Sequence, residues 1–114
     1  MKLKDICSLV NGKILTGQSR EEENVDFAFA SDLMSDVLTL KIDNFILITG
    51  LANLQTIRTA EMSDIQYILF ARDKKVTEDM IDLAEENNFV LIATEFSLFK
   101  CSGILYGNGL KPVY

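Results

Sequence analysis

Threonine, glycine and amide side chains come together in Thr49-Gly50-Leu51-Ala52-Asn53-Leu54-Gln55-Thr56, directly after the apolar run Phe45-Ile46-Leu47-Ile48. A turn that leaves the C-terminal end of a buried strand and opens a helix presents free backbone N–H groups, which favour an anion. It does so at the edge where open parallel sheets bind ligands. Gly50 permits close backbone approach, and Thr49, Asn53, Gln55 and Thr56 bring hydroxyl and amide groups able to donate or accept. Ordinary cap and turn chemistry is the competing explanation for the same residues. Arg58, one turn beyond Gln55, could hold a phosphate or simply pair with Glu61 or Asp64. Asp32 and Asp36 stand four residues apart, so a helix there would put both carboxylates on one face, as a metal pair or an acid/base pair requires. With no third ligand nearby, solvated capping by Ser31 or Asp32 is the plainer reading.

Other chemistries are pruned by what the chain lacks. It has no histidine, the usual zinc ligand and the usual general base at neutral pH. None of its 6 glycines begins the GxxxxGK[ST] spacing of a phosphate-binding loop, and Gly103, Gly107 and Gly109 interrupt and follow a helical stretch instead of linking a strand to one. Cys7 and Cys101 lack CxxC spacing and sit among apolar residues, which reads as two buried, reduced thiols. An enzyme built on Asp32, Asp36 or Cys7 would need an activated nucleophile or base that neighbouring residues do not supply. The expectation is a protein that is not an enzyme and uses no cofactor and no metal. The net charge of −6 and scattered Lys and Arg disfavour a nucleic-acid partner, and Glu21-Glu22-Glu23 reads as a solvated acidic loop.

The elements that must carry these residues follow from periodicity. At 114 residues with 48% hydrophobic side chains, one domain with one core is expected. Leu3, Ile6, Cys7 and Val10 recur at helical spacing before Asn11-Gly12. Lys13–Thr16 and Val25–Ala30 read as strands, and a short helical turn runs through Val37. Phe45–Ile48, Tyr67–Ala71 and Phe89–Ala93 are apolar throughout, as strands covered on both faces are. Helices follow each of them, capped by Asn53, Thr77 and Thr94. Such alternation predicts the α/β class: a largely parallel central sheet with flanking helices, in a domain spanning residues 1–110 with a frayed tail at 111–114 around Pro112. The apolar runs fall far short of the roughly 20 residues that cross a bilayer, and the first residues lack a leader pattern, so no membrane association and a cytoplasmic location are expected.

Ala30-Ser31-Asp32-Leu33-Met34-Ser35-Asp36-Val37-Leu38 and Ile48-Thr49-Gly50-Leu51-Ala52-Asn53-Leu54-Gln55-Thr56-Ile57-Arg58-Thr59-Ala60-Glu61-Met62 give the chain a likeness that runs over most of its length. It resembles stand-alone DRTGG-domain proteins, although the DRTGG pentapeptide itself is missing. The resemblance implies an α/β fold and kinship with the N-terminal domain of HPr kinase/phosphorylase, without the kinase domain. It also implies a regulatory role, with homodimerisation and adenine-nucleotide sensing as in the CBS-linked members, or a protein partner in a redox or signalling system. A purely structural protein-interaction module is the alternative. The expected ligand is a small anion held where the Thr49–Thr56 turn meets Ser31–Asp36, near the subunit boundary.

Overall fold

The computed structural model describes residues 1–114. Its elements are α1 (Leu3–Leu9), β1 (Lys13–Thr16), a 3-10 turn at Gln18–Arg20, β2 (Phe27–Ala30), α2 (Met34–Val37), β3 (Phe45–Thr49), α3 (Leu54–Met62), β4 (Tyr67–Phe70), α4 (Glu78–Glu86), β5 (Val90–Ala93), α5 (Leu98–Gly107) and β6 (Lys111–Pro112). The six strands form one sheet in the order β1-β5-β4-β3-β2-β6, parallel except for the β1–β5 pair. The class is the α/β expected from the alternation of elements.

The apolar runs explain the layering. Every residue of β3 and β4 is buried, because helices cover both faces of the sheet and neither face reaches water. On one face α2, α3 and α4 contribute Met34, Val37, Ile57, Ala60, Met80 and Ala84, which meet Leu47, Ile68, Phe70 and Leu91. On the other, α1 and α5 place Leu3, Ile6, Val10, Cys101 and Leu105 against Ile46, Ile48, Leu69, Val90 and Ile92. Four successive strands, β2 to β5, lie side by side, so right-handed crossovers put their three connecting helices on one side. The chain then changes face through α5 to reach β6 at the far edge.

Three expectations are corrected. Lys111 and Pro112 are a paired strand: Lys111 N–H donates to Asp26 O and Val113 N–H to Ala28 O, while Pro112 sits on the outer edge, where a missing N–H costs nothing. The last helix is capped by Ser97, whose Oγ accepts from Lys100 N–H. Thr94 instead donates its hydroxyl to Val10 O at 2.6 Å, because the antiparallel β1 brings the end of α1 against the end of β5. Thr77 sits at the start of α4 without a side-chain cap bond. Glu21 and Glu22 are exposed, as a solvated acidic loop would be, although Glu22 pairs with Lys2 and Lys4, and Glu23 with Arg20.

Candidate functional site

The C-terminal ends of β2, β3 and β4 lie side by side, because the parallel register sets Ala30 against Ile48 and Thr49 against Phe70. The residues that follow each strand, Ser31-Asp32, Gly50-Leu51 and Ala71-Arg72, are therefore neighbours at one sheet edge. Ser31 N–H donates to Ile48 O and Ala71 N–H to Thr49 O, extending the ladder one step beyond the strands.

Asp32 occupies the centre of this edge. Its Oδ1 accepts from Gly50 N–H at 2.7 Å and from the Thr49 hydroxyl at 3.0 Å. Its Oδ2 lies 3.5 Å from a guanidinium nitrogen of Arg72, which also donates to Gly50 O at 3.2 Å. The carboxylate thus takes the place, on the Gly50 amide, where an external anion was expected to sit. The rest of the turn is satisfied in the same way. Leu51 N–H donates to the Thr49 hydroxyl, Thr56 N–H donates to Asn53 Oδ1, and the Thr56 hydroxyl donates to Leu51 O. Asn53 is the cap of α3, as the sequence predicts.

The remaining candidates divide. The helical segment α2 begins only at Met34, with Leu33 as its cap residue, so Asp32 lies outside it and shares no helix face with Asp36. The reason is local. Ser31 Oγ accepts from Leu33 N–H, a hydroxyl turn that delays the helix and leaves the Asp32 side chain facing β3. Asp36 is exposed and makes no side-chain bond, and its backbone oxygen accepts from the Thr39 hydroxyl. Gln55 and Arg58 lie exposed on α3, and Arg58 pairs with neither Glu61 nor Asp64. The edge therefore unites Asp32, Thr49, Gly50, Asn53 and Thr56, with Ser31 behind them, and leaves Asp36, Gln55 and Arg58 outside the hydrogen-bonded group.

Arg72 is the residue that the sequence does not announce. It and Asp73 both adopt the left-handed conformation, at φ 71° and 54°, where a glycine or asparagine would have marked the turn. Gly50 is the matching half of the contact. A Cβ there would stand 2.6 Å from the Arg72 Cζ, so the missing side chain makes room for the guanidinium. The space left at Gly50 is filled by an arginine of the same chain.

Concavities lie elsewhere. An apolar groove of about 260 Å3 runs between α5 and the β2–β6 edge, floored by Ala28 and Ala30 and walled by Leu105, Tyr106, Pro112 and Tyr114. A polar cleft of about 290 Å3 opens at the ends of β4 and β5. The thiols are set apart from both chemistries: Cys101 is buried and Cys7 half-buried, and burial raises both above the ordinary thiol pKa. No helix is long and apolar enough to cross a membrane.

No family model matches the chain, and no curated protein matches it. Among solved structures it is similar to the CBS and DRTGG domains of the regulatory region of a Clostridium perfringens pyrophosphatase, a structure in complex with the activator diadenosine tetraphosphate. The TM-score is 0.72 at 16% identity, over 91% of this chain and 45% of that one. The chain thus spans less than half the length of that regulatory region, and the likeness is one of fold.

Proposed function

We propose that the chain is a non-catalytic regulatory module that senses a small anionic ligand, an adenine nucleotide in the first instance, and passes the signal on through a homodimer or a partner protein. The observation that carries this reading is the Arg72 guanidinium, exposed at the C-terminal edge of the sheet and held only by one carbonyl and one carboxylate. A phosphate would offer that guanidinium a bidentate partner in place of Asp32, whose contact at 3.5 Å is a loose one. Release of Asp32 would loosen the segment after β2 from the turn after β3, and α2 with it. In this reading Ser31, Asp36, Asn53, Gln55 and Arg58 complete the ligand surface, and the buried Thr56 holds the turn beneath it through its bond to Leu51 O. The regulatory fold similarity supports the reading, and the absence of an assembled nucleophile or base fits a sensor better than an enzyme. Exposed Phe99 and Tyr106 on α5 support association with a second copy.

Calorimetric titration of AMP, ADP, ATP and diadenosine tetraphosphate tests it, with and without magnesium. The wild type is expected to bind at least one of them, and Arg72→Ala, which keeps the fold because the side chain is exposed, about tenfold or more weakly, as loss of a charge-assisted pair implies. Folded wild-type protein that binds none of the four would leave the purely structural interaction module as the better reading.

A further inference from the structure

The chain leaves β4 for α4 on one face of the sheet and leaves β5 for α5 on the other. Two adjacent parallel strands whose outgoing loops part to opposite faces form a topological switch point, and open α/β sheets bind ligands in the crevice outside the strand ends there. The polar cleft of about 290 Å3 lies at this place. The turn after α1 lines it with Asn11, the start of β1 with Lys13, the loop after β4 with Asp73 and Lys74, and the end of β5 with Thr94 and Glu95.

Its floor is fixed and its walls are free. Thr94 is buried, donates its hydroxyl to Val10 O, accepts from Phe96 N–H at 3.1 Å, and through its carbonyl accepts from Asp73 N–H at 3.0 Å. Three chain segments are thereby tied together at one residue. The side chains of Asn11, Lys13, Asp73, Lys74 and Glu95 make no hydrogen bond or ion pair within the protein, so the two lysines, like Lys41, Arg58 and Lys75 elsewhere on the surface, are free of an acid partner, and here two such cations line one cleft. Lys74 belongs to Arg72-Asp73-Lys74-Lys75, the densest run of cations in a chain whose net charge is −6.

We propose that this switch-point cleft, between Lys13 and Lys74, is a binding site for a small phosphorylated sugar. The two ammonium groups hold the phosphate as point charges. The Asp73 and Glu95 carboxylates accept hydrogen bonds from sugar hydroxyls, the role an acidic residue plays toward ribose in dinucleotide-binding folds. The volume stands at the lower limit of ligand pockets, which selects something nearer a ribose phosphate than a dinucleotide. The site is separate from the Arg72 edge: neither Gly50 nor Asp32 lines it, so each reading can fail without the other.

Ribose 5-phosphate is titrated into isotope-labelled full chain and followed by amide chemical shifts, with ribose and inorganic phosphate as parallel probes. Saturable shifts at Asn11, Lys13, Lys74 and Thr94 are expected, with ribose 5-phosphate binding more tightly than either fragment. Lys13→Ala combined with Lys74→Ala, both exposed and unpaired, weakens it about tenfold or more, while Arg72→Ala leaves it within about twofold. Asp73→Asn, which keeps a residue that tolerates the left-handed turn, combined with Glu95→Gln, reduces the advantage over inorganic phosphate. An absence of saturable shifts in the cleft, equal affinity for inorganic phosphate and ribose 5-phosphate, or unchanged binding in the double lysine variant would each overturn the proposal.

Discussion

A methyl group added at two different glycines should have opposite consequences. Gly17 stands at φ 76°, and a Cβ there would lie 2.7 Å from Val90 Cγ2 and 3.0 Å from Phe89 O. Both the left-handed backbone and a β5 neighbour that cannot withdraw oppose Gly17→Ala, which should cost about 2 kcal/mol or more. Gly50 has no such backbone restriction, and what its Cβ would meet is the end of the flexible Arg72 side chain. Arg72 can swing into water and give up an exposed ion pair worth about 1 kcal/mol or less, while the alanine recovers about 0.4–1 kcal/mol of unfolded-state entropy. Gly50→Ala should therefore change stability by less than about 1 kcal/mol while displacing the guanidinium from its seat. Urea unfolding of the two variants decides this, and a Gly50→Ala loss as large as that of Gly17→Ala would show that the Arg72 contact is rigid.

At the opposite edge of the sheet, a polar clamp reinforces the pairing of β1 with β5 and of β5 with β4. Arg20, in the turn after β1, donates to both oxygens of Glu23, to Gln66 Oε1 before β4 and to Asn88 O before β5, and its guanidinium lies 5.3 Å from the Tyr67 ring. The Tyr67 hydroxyl donates to Glu23 Oε1 at 2.7 Å. The Arg20 hydrogen bond is the main reason Glu23 is held below its usual 4.5. Its contribution is present above that pH and is lost as pH falls through the lower folded value. Tyr67 is raised above 10.0, first by burial and then by the Glu23 carboxylate, so its contribution is present below that pH and lost as pH rises through the folded value. Glu23→Gln should flatten the acid limb of the stability profile and Tyr67→Phe the alkaline limb. Glu23 is 41% exposed, so the acid effect should stay within about 1 kcal/mol. An acid limb identical in wild type and Glu23→Gln, measured by denaturant midpoints across pH, would remove Glu23 as its source.

The same two edges show which elements a sequence discloses. Phe45–Ile48 and Tyr67–Phe70 are legible because a strand covered on both faces must be apolar throughout, and Asn53 because its carboxamide caps the helix directly after it. The clamp and Arg72 are not, since each depends on which strand ends lie together. Arg20 and Gln66 stand 46 residues apart, and Arg72 and Gly50 22 apart. Ser97 lost to Thr94 as the expected cap because both are good cap residues, and only the approach of Val10 shows where the Thr94 hydroxyl goes. Strand β6 has two residues and a proline, too little pattern to signal pairing.

At the scale of the whole molecule the charge is uneven, and the unevenness bears on association. Every Asp and Glu lies at or before Glu95, so α5 and β6 carry only Lys100 and Lys111 as charged side chains. Two copies of a chain at −6 repel through most of their surfaces, and the α5 face is where they can meet without opposing carboxylates. That face also carries large exposed aromatic side chains. Phe99 is 88% and Tyr106 70% exposed, one on each side of Gly103, whose missing side chain has nothing within 4 Å. A two-fold contact is self-complementary, so the Phe99 ring of each copy would meet the α5 groove of the other. Light scattering at micromolar concentration is expected to give twice the chain mass for wild type and the single mass for Phe99→Asp, whose exposed position leaves the fold intact. Gly103→Ala separates the helix from the contact. In the monomeric Phe99→Asp background it should raise stability by about 1 kcal/mol, the ordinary preference of an open helix for alanine. In the wild-type background the added methyl groups should hold the two helices apart and weaken the dimer. A wild-type chain that stays at the single mass on tenfold concentration would remove α5 as the meeting surface, and the ligand signal would then have to pass to a different protein.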